Sequence, residues 1–186
     1  MVSVLIMIAP SLAAHPHVWI ESFVTPVMDD AGMSALEVTW LFDDFNSADI
    51  RARFDGNLDG SLSREEQQLI EENAFSRLAE IGYFLIVNVN DSRQEVPAAT
   101  RFEAFIQDEQ VGYRFQVPLN LSWAQVDGTV MAVFDESYYV SFFTSPGREQ
   151  VTSSGRSVRL AQVPMQFATD GWGGVNAPAI EMQVSN

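Results

Sequence analysis

The sequence predicts an α+β domain, mostly β, built as an antiparallel sandwich-like or curled sheet and interrupted by one helical insertion. Three observations lead there. Short runs rich in Val, Ile, Phe and Trp recur between Asp/Gly/Asn turns. Residues 47–82 alone switch to helical spacing. Between the two helical stretches lies a loop with side-chain oxygens at alternate positions. With 47% apolar residues in a chain of 186, one substantial core is expected.

Residues 1–14 are almost wholly apolar and end Ser11-Leu12-Ala13-Ala14, the small-residue pattern of a signal-peptidase site, which makes His15 the first residue of an exported, periplasmic form. The run is shorter than the ~20 apolar residues that span a bilayer. It lacks the usual basic stretch, as a leader truncated at its start would; the alternative is a buried first strand. No later segment is long and apolar enough for stable membrane insertion. Residues 15–186 then form a single β-rich domain.

Residues 17–27 and 35–42 read as strands around the turn Asp29-Asp30-Ala31-Gly32. Further strands are expected at 83–89, 99–107, 113–119, 129–134 and 138–143, separated by Asn90-Asp91, Asp108-Glu109, Asp127-Gly128 and Asp135-Glu136. Beyond Ser145 the pattern weakens. Ser153-Ser154-Gly155 is a turn, 158–163 a strand, and Gly171-Trp172-Gly173-Gly174 a loop.

In the insertion, 47–82, residues 55–66 read Asp-Gly-Asn-Leu-Asp-Gly-Ser-Leu-Ser-Arg-Glu-Glu and match the calcium loop of an EF-hand. Asp55, Asn57 and Asp59 supply side-chain oxygens at positions 1, 3 and 5, and Gly60 permits the sharp turn at 6. Ser61 offers its carbonyl at 7, Ser63 stands at 9, and Glu66 at 12 can bind through both carboxylate oxygens. Ca²⁺ is the expected ligand, and Leu62 at position 8 is expected to point into the core. An ordinary turn with a Ser63/Glu66 capping box explains only the last four residues. Upstream, Ser47 caps a helix with Ile50 and Phe54 on one face; downstream, Leu69, Ile70, Ala74, Leu78 and Ile81 recur at helical spacing before Gly82. No second loop of this kind is found, so the ion staples the fold rather than switching it.

Acidic residues outnumber basic ones 25 to 10, a net charge of −15, which excludes nucleic acid as a partner. The chain has no cysteine, hence no disulfide, thiolate site or cysteine nucleophile. A Ser-His-Asp triad would have to borrow a histidine from the mature terminus, and residues 171–174 lack the lysine of a phosphate loop. No enzymatic activity is expected.

His15-Pro16-His17 contains both histidines. In an extended segment they project to one side, where two imidazoles converge on Ni²⁺, Co²⁺, Zn²⁺ or Cu²⁺. Glu21 has the same strand parity, and Asp43 ends the strand expected to pair with the first; either adds an oxygen ligand. Two other readings stay open: histidines that merely hydrogen-bond at a terminus or strand edge, and Asp43 with Asp44 as helix-entry residues. A copper-dependent enzyme using the mature N-terminal histidine is a third, weakened because Pro16 has no N–H for an amide-nitrogen clamp. Trp19, Trp40, Tyr138 and Tyr139 read as core or sheet-face aromatics.

His15-Pro16-His17-Val18-Trp19-Ile20-Glu21, then Trp40-Leu41-Phe42-Asp43, Phe54-Asp55, and Phe134-Asp135 with Tyr138-Tyr139-Val140 resemble the DUF1007 family, in order from His15 to Phe143. The resemblance implies an exported protein of the kind labelled a periplasmic ABC-type transport component and associated with nickel or cobalt transporters. A cysteine expected near the end of some relatives is missing here. The expected function is therefore a metal-binding accessory to a transition-metal membrane transporter, with structural Ca²⁺. The alternative is a calcium-stabilised structural or protein-interaction module whose histidines are incidental.

Overall fold

Strands with one buried and one more exposed face set the architecture from Val18 onward. In the computed structural model, residues 16–147, 150–151, 155–170 and 173–185 are described. The leader assigned to 1–14, His15, the turn residues Ser153 and Ser154, and the loop residues Gly171 and Trp172 lie outside the described residues. The strands are β1 (Val18–Met28), β2 (Gly32–Phe42), β3 (Leu85–Val89), β4 (Ser92–Arg93), β5 (Thr100–Gln107), β6 (Gln110–Ser122), β7 (Val130–Val133), β8 (Val140–Pro146), β9 (Gln150–Val151), β10 (Ser157–Thr169) and β11 (Gly173–Ser185). Helices are α1 (Asp44–Phe54), α2 (Arg64–Ile70) and the single turn α3 (Trp123–Val126).

Two sheets form, ordered β5-β6-β2-β1-β8 and β4-β3-β7-β11-β10-β9. Their inner faces share one core. Ile20, Val24, Leu36, Val38, Trp40 and Phe115 of the first sheet meet Leu85, Val87, Met131, Val133, Ile180 and Met182 of the second. Trp40 is at its centre, with ring centroids 5.0 Å from Phe115 and 5.5 Å from Phe142. The mostly-β expectation holds in this two-sheet form. One pairing departs from the antiparallel expectation: β1 and β8 are parallel, from Val18 opposite Val140 to Val24 opposite Pro146. After β7 the chain leaves the second sheet and joins the outer edge of the first, entering in the direction of β1.

The helical stretch also differs from its expected form. Beyond α2 the chain widens into a π-helical turn over Glu71–Phe75 and then tightens into 3₁₀ turns that break at Ile81–Tyr83. Side chains compete for its carbonyls: Asn73 Nδ2 donates to the Leu69 carbonyl and Ser76 Oγ to that of Glu71. The wide turn carries Phe75 into the core, where its ring stacks 4.2 Å from Phe102. Leu69 and Ile81 of the expected apolar stripe stay exposed.

Near the C-terminus, β10 and β11 pair over their whole length, from Ser157 opposite Ser185 to Thr169 opposite Gly173. The expected strand 158–163 is thus longer, and Gly173 and Gly174 belong to β11 rather than to a loop. The buried face changes midway. Val158 and Leu160 point into the main core, whereas Phe167 on the opposite face stacks on Phe134, 4.3 Å between centroids, over Ile86, Ala132 and Ala179. That second apolar cluster covers the outer side of the second sheet.

The β1–β2 turn forms as expected, with Asp29 Oδ1 accepting the N–H groups of Ala31 and Gly32. Gly32 has φ +144°, and a Cβ there would lie 2.1 Å from the Leu121 carbonyl oxygen. Backbone cannot yield cheaply, so Gly32→Ala is expected to lower unfolding free energy by about 2–4 kcal/mol in a denaturant titration.

Candidate functional site

The first residues of β1 are held from two sides by aspartates that bind backbone. Asp43 ends β2 and caps α1: its Oδ1 accepts the Asn46 N–H at 2.9 Å, and its Oδ2 accepts the Trp19 N–H at 2.9 Å and Asn46 Nδ2 at 2.8 Å. Partial burial pushes the Asp43 carboxyl up, but the hydrogen bonds from Asn46 and Trp19 outweigh it and hold the group below the ordinary carboxylate range. On the other side stands the buried Asp135. Its Oδ1 accepts the Ser137 N–H at 2.9 Å and hydroxyl at 2.7 Å; its Oδ2 accepts the Tyr139 and Val140 N–H groups at 3.1 and 2.9 Å. The turn so fixed presents the Tyr139 carbonyl to the His17 N–H at 2.9 Å. The His17 and Tyr139 rings lie 5.0 Å apart.

All the motif segments but Phe54-Asp55 therefore meet at one end of the first sheet. Trp19 and Glu21 are exposed on the face of β1 away from the core, and His17 precedes them at the same parity. Trp19, Glu21, Leu41, Asp43, Asp44 and Phe143 line a surface cavity of about 260 Å³ there. Of the expected transition-metal ligands, His17 and Glu21 reach this end of the molecule. Asp43 is beside them with its carboxylate on amides, as in the helix-entry alternative, and His15 lies outside the described residues. Asp135 is in the turn expected for it, but its clamp on four donors was missed. The signal was Ser137 two residues on, the spacing of a side chain folding onto its own turn.

The second cluster is the loop between α1 and α2. Asp55 is buried, its Oδ1 accepting the Asp59 N–H at 3.2 Å and its Oδ2 the Gly60 N–H at 3.1 Å. Asn57 Nδ2 donates to Asp59 Oδ2 at 2.7 Å, and the Ser61 N–H and hydroxyl donate to Asp59 Oδ1 at 2.9 and 2.7 Å. Left-handed Leu58 (φ 55°) and Gly60 (φ 79°) wind the chain tightly enough for this. Glu66 closes the ring. Its Oε2 accepts the Ser63 N–H at 2.9 Å in a capping box, while its Oε1 reaches back across the loop to the Gly56 N–H at 2.7 Å. A capping box alone does not ask for that second contact. Leu62 is partly buried and packs against the core.

Hydrogen bonds from Ser61 and Asn57 hold the Asp59 carboxyl below its ordinary range. Those from Ser63 and Gly56 do the same for Glu66, against the opposing negative charge of Asp59. The loop offers oxygen donors only. In this conformation its carboxylates face amide hydrogens, and among the described residues no three His, Asp or Glu side chains are grouped closely enough to hold one ion.

The two aspartates that flank β1 give separate readouts. Because folding depresses the Asp43 carboxyl, its stabilising contribution is present above the unfolded-chain value, about pH 4, and is lost as pH falls through the folded value. Asp43→Asn should flatten the acid limb of a stability–pH curve, and Asp43→Ala should cost about 1 kcal/mol at pH 7 through the lost cap. Asp135→Ala strands buried N–H groups and should cost about 2–4 kcal/mol, read by urea unfolding.

No helix among the described residues is long and apolar enough to cross a membrane. No solved structure matches this chain. It is similar to an uncharacterised 15.5 kDa protein in the trpE 3' region of Spirochaeta aurantia, 29% identical over 114 residues that cover 59% of this chain and 81% of that protein. The family model described as "Protein of unknown function (DUF1007)" matches residues 1–164, which include Asp43, Asp135 and the whole 55–66 loop, and the chain belongs to that family.

Proposed function

We propose that this chain is an exported metal-binding accessory protein, with a structural Ca²⁺ in an EF-hand loop at 55–66 and a transition-metal site at its mature terminus. Three carboxylates of one short loop that lack a counter-charge carry the calcium half. None of Asp55, Asp59 and Glu66 is in an ion pair among the described residues, and Asp59 works electrostatically against ionisation of Glu66. A hard dication relieves that repulsion using the oxygens at hand: side chains of Asp55, Asn57, Asp59 and Glu66, the Ser61 carbonyl, and Ser63 at position 9. The same Glu66 oxygens hold the Gly56 and Ser63 amides, so ion and cap compete. That competition favours moderate affinity.

At the other site, Glu21 faces outward on β1 and the exposed His17 immediately precedes that strand, with His15 two residues upstream in the sequence. Neutral imidazoles suit Ni²⁺, Co²⁺, Zn²⁺ or Cu²⁺ and release them on protonation, a chemistry of capture and hand-off to a membrane transporter. Support for export and for the transport association comes from the apolar leader and from the motif resemblance. A second reading, a calcium-stapled interaction module, is favoured by one contact: the His17 ring packs against Tyr139.

Calorimetric titration of the chelator-stripped protein beginning at His15 separates the two. Ca²⁺ should bind first and raise the melting temperature. Glu66→Gln should weaken that binding at least about tenfold, removing one chelating charge. Ni²⁺ or Co²⁺ should then bind at a site that survives saturating Ca²⁺ and disappears in a His15→Ala/His17→Ala variant. Calcium heat with no transition-metal heat would leave the interaction module. A melting curve indifferent to Ca²⁺ would remove the staple.

A further inference from the structure

Ser22, Trp40 and Thr144 stand side by side on three adjacent strands. Ser22 is opposite Trp40 on β2 and opposite Thr144 on β8. All three point into the core, with exposures of 0%, 1% and 1%. Ser22 Oγ, Trp40 Nε1 and Thr144 Oγ1 have no hydrogen-bond partner in the protein. A lone orphan of this kind is tolerable, but three in one row across a sheet are costly unless something completes them.

The row defines its ligand chemically. Neighbouring strands lie ~4.8 Å apart, and although opposed side chains at that spacing can bond directly, these three do not; one small bridging molecule would satisfy them. The indole N–H can only donate, whereas each hydroxyl can donate or accept. The complement is neutral, accepts from Trp40, and exchanges hydrogen bonds with both hydroxyls. An ion would find no counter-charge in the row. On the second sheet, Gln162 Nε2 donates to the Thr144 carbonyl at 2.8 Å, extending the polar strip between the layers.

We infer that Ser22, Trp40 and Thr144 together bind an internal water that ties β2, β1 and β8 from inside. These strands display Trp19, Glu21 and Phe143 on their outer face, so the water is a fixed brace beneath the candidate site.

A crystal structure of the whole exported chain at about 1.5 Å or better tests this directly. The expected result is a density peak within hydrogen-bond reach of Ser22 Oγ, Trp40 Nε1 and Thr144 Oγ1. A row without such a peak, or hydroxyls bonded directly to each other, would overturn the inference. Thr144→Val, which keeps the side-chain shape, gives an independent readout. If the water is bound, the melting temperature falls by about 2–4 °C, the scale of one buried hydrogen bond in a domain this size. If the row is dry, the substitution removes an orphan, and an unchanged or higher melting temperature refutes the water site.

Discussion

The position of β1, locked between antiparallel β2 and parallel β8, is the constraint on which the rest of the molecule depends. Two adjacent strands of one sheet that run parallel cannot be joined by a tight turn; the chain between them must travel. Here it makes β2, α1, the 55–66 loop, α2, the rest of the first sheet and three strands of the second, β3, β4 and β7, before returning. That return brings the Asp135 turn next to His17, although 118 positions of sequence separate the two. Once β8 is in place, both flanks of β1 are bonded, and His17 just ahead of it is tied to the Tyr139 carbonyl.

Carboxylates in this protein serve backbone first. Asp29, Asp43, Asp55, Asp135 and Glu66 all accept main-chain N–H groups. In an acidic chain this is economical, since each such bond neutralises part of a charge that would otherwise repel its neighbours. It also separates two kinds of acidic residue. Asp43 and Asp135 hold amides at the start of strands, Trp19 of β1 and Val140 of β8, and so fix where those strands begin. Those of the 55–66 loop are engaged locally, by amides of the same few residues, and can exchange partners without disturbing a sheet.

How much was legible follows from the same distinction. β1 and β2 could be placed because buried positions recur at every second residue through their centres and Asp29 and Gly32 mark the turn; β5 to β8 could be placed for similar reasons. Strand direction could not, because period two is identical for parallel and antiparallel neighbours, and so the β1–β8 pairing was invisible. The β10–β11 hairpin was underestimated because its buried face switches after Leu160 and Pro164 stands opposite Pro178. The spacing of side-chain oxygens in 55–66 is local and could be read directly. The role of Asp43 could not, because its choice between ion and amide depends on the Trp19 backbone that the fold sets beside it, whereas the Asp135 clamp is local and was signalled by Ser137.

The order of the second sheet also imposes a sequence in time. β7 and β10 do not touch as partners; β11 lies between them and bonds to both. Until those last thirteen residues are available, β4-β3-β7 and β9-β10 are two separate ribbons, each with an open edge. A chain that emerges N-terminus first can complete its first sheet, up to β8, well before the second can close. The final strand acts as the keystone, and the half-built layer must be kept from pairing with other chains until it arrives.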